Sequence, residues 1–250
     1  MPPQYGNGQE SSIEIPVQDD DTFKVDPSVW EDEAVRKGFV KKVYSLLSIM
    51  LLFTSGVIAF FVYTPGVRDW VLKNSWINLV AMVLAIGILL GLACTPGLAR
   101  KAPQNFIMLG LFTFFEAIAI GVICCYYDTE EVMMAFGITC FITIGITIFA
   151  AQTKIDFTPM AGGLCLCLFA LLGFGFFCIF FGGQVTHIIY CTIGAILFGL
   201  FLLVDTQRIM GGKHKQQIHP EEYVFAALNL FLDIINIFLM ILQLIGAVGE

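Results

Sequence analysis

Seven apolar runs, each of about 20 residues, fill the chain between Val43 and Val248 and limit its folding more than any other feature. They are Val43–Tyr63, Trp76–Cys94, Asn105–Cys125, Val132–Ala151, Met160–Phe181, His187–Val204 and Tyr223–Val248. At about 1.5 Å of rise per residue, a helix of that length crosses the roughly 30 Å hydrocarbon core of a bilayer. Lipid offers no partner to a backbone N–H or C=O, so a spanning segment must satisfy both internally. The expected fold is all-α, a polytopic membrane protein of seven transmembrane helices. Short loops predict that helices consecutive in sequence pack as antiparallel neighbours. Gly87-xxx-Gly91, Gly162-Gly163 and Gly173-x-Gly175 are the expected points of close approach.

Hydrophobic residues make up 58% of the 250 and charged residues 13%, which a soluble domain does not show. The net charge is −7, yet nine of the 20 acidic residues precede Ala34. The acidity belongs to a tail and argues for no nucleic-acid partner. Residues 1–33 read as a disordered, acidic, cytosolic tail and 34–250 as the membrane domain. In the tail, Pro2-Pro3-Gln4-Tyr5 fits the PPxY pattern. Pro2, Pro3 and Tyr5 would dock as a polyproline helix into the aromatic groove of a WW domain. Residues 1–30 have neither the basic start nor the apolar centre of a cleavable signal, so the first span is expected to direct insertion.

Asp26-Pro27 offers a helix start. Beyond it, Arg36, Lys37, Lys41 and Lys42 with Trp30, Phe39 and Tyr44 form a basic, aromatic segment suited to an anionic membrane surface. With a cytosolic amino terminus, Lys24 and these four cations lie inside, as do Arg100, Lys101, Lys154, Arg208, Lys213 and Lys215. Only Arg68 and Lys73 then lie outside, as the positive-inside rule requires. The outer turn Tyr126–Glu131 carries Asp128, Glu130 and Glu131, an acidic mouth that would concentrate cations.

Function points to the last run, EYVFAALNLFLDIINIFLMILQ from Glu222 to Gln243. Asn229, Asp233, Asn236 and Gln243 interrupt it at spacings of four, three and seven residues, which places them on one stripe of a helix. A carboxylate at mid-membrane costs about 2.5 to 3.5 kcal/mol on insertion scales, so Asp233 should face inward. Glu116 lies halfway along the third run. Asp205 ends the sixth in LLVDTQRIMGG, where Gly211-Gly212 should stop the helix. Pro220-Glu221-Glu222 then opens the last helix, so the sixth and seventh spans are antiparallel neighbours.

If Asp205 and Asp233 meet in a dry interior they cannot both ionise cheaply. They would share a proton and titrate as a coupled pair, a proton-sensitive latch between two helices. Arg100, Lys101 or Arg208 could serve as counter-charge. The plainer alternative is a hydrogen-bonded acid that only fixes packing. Asn229 and Asn236, with Glu116, would line a polar path. The eight cysteines fall in or beside apolar runs with no metal-site spacing, so they read as apolar filling, with no tightly bound metal and no cofactor.

Four segments carry a resemblance: VRKGFVKKVY (Val35–Tyr44), QTKIDFT (Gln152–Thr158), VDTQRIMGG (Val204–Gly212) and HPEEYVFAALNLFLDIINIFL (His219–Leu239). Together they resemble the lifeguard branch of the Bax inhibitor-1 family. The resemblance implies a central last helix wrapped by the other six, a pH-sensitive calcium leak across an internal membrane (endoplasmic reticulum or Golgi rather than plasma membrane), and suppression of cell death. The family's paired aspartates fall on Asp205 and Asp233. Its cationic partner falls nearest Arg100, and Glu116 matches some members. Implied partners are lipids, transient calcium ions and other membrane or cell-death proteins.

Calcium favours six to eight hard oxygen ligands. Three intramembrane carboxylates with Asn229 and Asn236 cannot supply such a cage, so passage suits the residues better than storage. No enzyme is expected. An intramembrane aspartyl protease would need a Gly-x-Gly-Asp motif that neither aspartate has, and a retinal protein would need a mid-span lysine. A restraining interaction protein that conducts no ions is the competing reading.

Overall fold

The structure, a computed structural model, describes residues 33–95, 102–211 and 218–249. Among them are eight α-helices: α1 (Glu33–Tyr63), α2 (Pro65–Lys73), α3 (Trp76–Cys94), α4 (Gln104–Cys124), α5 (Thr129–Gln152), α6 (Ala161–Phe181), α7 (Gln184–Met210) and α8 (Tyr223–Gly249). Short 3-10 turns at Thr158–Met160 and Pro220–Glu222 lead into α6 and α8. All but α2 are long and apolar enough to cross a membrane. The expected all-α, seven-span architecture is present. The PPxY residues Pro2, Pro3 and Tyr5, the helix start at Asp26-Pro27, and Arg100 lie outside the described residues.

Hydropathy located the spans but missed their polar ends. Helix α1 already includes Arg36, Lys37, Lys41 and Lys42, ten residues ahead of the apolar run. Long cationic side chains can run along a helix while their heads stay in water. Helix α7 runs from Gln184 to Met210 and stops at Gly211, whose φ of 59° favours glycine. Helix α2 falls where the apolar pattern breaks. Pro65 sits at its first positions, and Arg68, Asp69 and Lys73 keep it from crossing. Arg68 ties it down, donating from Nε to the Cys125 carbonyl (3.1 Å) and from Nη2 to the Tyr127 carbonyl (2.9 Å).

Helix α8 is central. It packs most extensively on α7, then on α5 and α1, and slightly on α4. Helices α3 and α6 sit outside these, α3 against α4 and α6 against α7, so α7, α5 and α1 form the main wall around α8, with α4 at its edge, rather than six helices. Phe231 of α8 is fully buried and meets Phe112 of α4 edge-on, with centroids 6.2 Å apart.

The expectation that consecutive helices are neighbours holds for α3 with α4, α6 with α7, and α7 with α8. It fails for α1 with α3, α4 with α5, and α5 with α6, which share little packing. Helix α2 intervenes in the first case, and α5 turns instead to α7 and α8. The expected glycine contacts also lie elsewhere. A Cβ on Gly87, Gly162, Gly163 or Gly173 would meet nothing within 4 Å, and one on Gly91 only the tip of Met108. The close approaches are at Gly194, where a Cβ would come within 2.7 Å of Met240 Sδ, at Gly121 against Phe61, and at Gly246 against Tyr127. Of the expected set only Gly175, under the Tyr190 ring, is approached.

Candidate functional site

Helices α7 and α8 carry the two aspartates into the protein interior. Asp205 lies six residues before Gly211, about 9 Å of helix from the stop, and Asp233 ten residues past Tyr223, about 15 Å from the start. The difference is about one helical turn, and the two helices pack closely enough to absorb it. Both side chains are buried, each 7% exposed. The two helices that carry them share the most extensive packing of any pair among the described residues. Asp233 Oδ2 is fully buried and has no hydrogen-bond partner among the described residues. A buried carboxyl oxygen without a partner costs about 1 to 3 kcal/mol or more. Nothing at that oxygen resembles a bond holding the packing in place.

Arg100 and Lys101 lie outside the described residues; among those described, Asp205 meets one cation. Arg208 Nη1 donates to its Oδ1 across 3.4 Å, one turn further along α7. The contact is long and single, and the guanidinium is about a third exposed while its Nε is buried without a partner. Of the counter-charges considered, Arg208 therefore contacts Asp205.

The polar stripe of α8 is present but is not a buried seam. Asn229, Asn236 and Gln243 are half-buried, together with Phe225, Leu232 and Leu239 at interleaved positions. These residues form the less covered side of an otherwise enclosed helix, and Asp233 stands on its border. Asn236 Nδ2 donates to the Leu232 carbonyl (2.8 Å) and Gln243 Nε2 to the Leu239 carbonyl (3.1 Å). Both amides thus bond back onto their own helix, each placing one of its two N–H donors there.

From Asn229 to Gln243 the stripe spans about 21 Å. At its far end Gln243 lines a polar recess of about 360 Å³ with Asp128, Glu131 and His187. The Glu131 carboxylate accepts the Asp128 N–H (2.9 Å), which holds the start of α5 at the rim. The acidic turn and the stripe were separate features in the sequence, and the fold joins them.

Glu116 stands apart. It is half-buried on α4, which barely touches α8. The structure does not bring it to the pair.

Sequence reasoning missed Gln207. It is fully buried, donates from Nε2 to the Ile155 carbonyl (2.9 Å) and accepts the Phe157 N–H at Oε1 (2.8 Å). One side chain thereby clamps the α5–α6 linker to α7, two residues from Asp205. Asp156 Oδ1 accepts both the N–H and the hydroxyl of Thr158, closing the same linker. The only sequence signal was a lone amide in the last turn of an apolar helix.

The sequence profile described as "Inhibitor of apoptosis-promoting Bax1" matches residues 36–250. The chain belongs to this family. Human protein lifeguard 3 is 38% identical over 98% of this chain and 79% of its own length, and the mouse protein of that name is 36% identical over 99% and 79%. Mouse protein lifeguard 4 is 34% identical over 86% of this chain and 87% of its own. The resemblance drawn from four short segments therefore extends across the whole Bax-inhibitor membrane domain, including the α7–α8 pair that carries both aspartates.

Proposed function

We propose that this Bax-inhibitor family member is a pH-sensitive, calcium-permeable leak pathway in an internal membrane, endoplasmic reticulum or Golgi, and that through calcium it restrains cell death. The observation carrying this reading is Asp233 Oδ2, buried and unpartnered beside a second buried carboxyl on the adjoining helix. A proton shared between the two carboxyls supplies the missing hydrogen bond and holds α7 to α8. When it leaves, two negative charges in low dielectric repel. A cation then becomes the favoured companion, either Arg208 or a passing calcium ion.

The path runs along the stripe. With the basic end of the bundle cytosolic, calcium enters at the Asp128–Glu131 recess, passes Gln243 and Asn236, and reaches Asp233. Few hard oxygens face any one point, so occupancy is weak, and weak occupancy favours release over storage. Purified protein in liposomes should pass calcium in a pH-dependent way. Flux and pH response unchanged by Asp233→Asn would remove the gating role.

The family description favours a second reading, in which the membrane domain restrains apoptosis-promoting Bax by contact and conducts nothing. The Asp205→Asn/Asp233→Asn double variant separates the two. Death suppression that survives loss of flux supports contact, and suppression lost with flux supports the leak. The tail stays a candidate WW-domain ligand, and Tyr5→Ala should abolish capture by a WW-domain panel. Equal capture of both forms would dismiss it.

A further inference from the structure

One face of α1 runs through Lys37, Lys41, Tyr44, Ser48, Ser55 and Val62, positions that coincide at about 100° per residue. At its start Arg36, Lys37 and Lys41 surround a recess of about 430 Å³, walled also by Val40 and by Met210 at the end of α7. Past Tyr44 the same face borders an apolar groove of about 440 Å³ between α1 and α5, which share little packing, and its floor is Ile234, Ile235 and Phe238 of α8. From Ser48 to Ile58 the groove follows α1 for about 15 Å. It begins about 10 Å past Lys41 and is centred near the middle of the roughly 30 Å hydrocarbon core.

We propose that these two features form one binding site for an anionic glycerophospholipid of the leaflet at the basic end. Its phosphate sits among Arg36, Lys37 and Lys41, and one acyl chain lies in the α1–α5 groove. Charge selects the headgroup. A groove open to hydrocarbon on the same face of α1, roofed by no helix among the described residues, selects a chain attached to it. Flanking cations that served orientation alone would need neither the recess nor the groove beneath it. The inference requires only the membrane-spanning fold, not the calcium pathway.

The test is native mass spectrometry of the full chain in detergent, with phosphatidylserine, phosphatidylcholine and glycerophosphoserine as probes. Wild type should retain phosphatidylserine in preference to phosphatidylcholine. Arg36→Gln/Lys37→Gln/Lys41→Gln should weaken that retention on the order of a hundredfold, while Lys154→Gln, another basic-end charge outside the recess, should leave it intact. Ser48→Trp, which fills the groove and keeps every charge, should weaken it as well. Equal retention of the two lipids by wild type, equal loss in Lys154→Gln, or competition by glycerophosphoserine as strong as by the whole lipid would overturn the proposal.

Discussion

Helices α8 and α6 are both apolar, with mean hydropathy of 2.3 and 2.7 over their most apolar stretches, yet 72% of that stretch is buried in α8 and 11% in the span ending in α6. The more hydrophobic helix is the exposed one. In water the order would reverse, but lipid tails are as apolar as leucine, and burying more of them against protein gains little. The polar residues decide. Helix α6 reads AGGLCLCLFALLGFGFFCIFF, with no acid, amide or base, and nothing in it objects to hydrocarbon. Helix α8 carries Asn229, Asp233, Asn236 and Gln243, and the aspartate alone is costly enough in lipid to require enclosure.

The contrast can be broken by core truncation. Phe231→Ala in α8 removes a fully buried ring and its edge contact with Phe112, and should cost about 3 to 5 kcal/mol in a mild-to-denaturing detergent titration. A loss under half of that would mean α8 is not the packed centre.

Moving the deciding residue sharpens it. Leu166, 71% exposed on α6, replaced by Asp should disfavour insertion by about 2.5 to 3.5 kcal/mol, measured by glycosylation-site reporting of span topology. Insertion as efficient as wild type would show that α6 does not face lipid.

A smaller effect tests the clamp beside the site. Gln207→Ala strands the Ile155 carbonyl and the Phe157 N–H and should lower stability by about 1 to 3 kcal/mol, with faster hydrogen exchange confined to the 153–157 linker. Global rather than local exchange would contradict the clamp. The smallest effect expected is for Phe177→Ala on α6, half exposed, which should change melting by an amount equivalent to no more than about 0.5 kcal/mol.

The same contrast explains what the sequence could reveal. Run length alone placed the apolar part of every span, because hydrocarbon thickness sets it, and missed the polar ends of α1 and α7. The stop at Gly211 was legible because few other residues adopt its φ, and the shared stripe from Asn229 to Gln243 followed from helical periodicity. Azimuth was not legible. No pattern in α6 or α3 says that their glycines face open space, and hydropathy cannot tell a half-buried amide bonded to its own helix from one that reaches across. Helix α2 was lost because its charges break an apolar run without marking a new one, and Arg68 because its acceptors are backbone carbonyls some 57 and 59 residues away. That Asp205 and Asp233 stand on packed neighbouring helices was inferable from a short loop and two helix ends. The separation of Glu116 from them was not, since it depends on α4 packing toward α1 and α3.

The most direct test of the proton-sharing pair is calcium efflux from proteoliposomes, followed across the range from mildly acidic to mildly alkaline pH for wild type, Asp205→Asn and Asp233→Asn. The account predicts a pH-dependent efflux in wild type whose pH response weakens and changes shape in either single variant, because an amide carries no charge to repel the remaining carboxylate. A pH response of unchanged shape in both variants would contradict it.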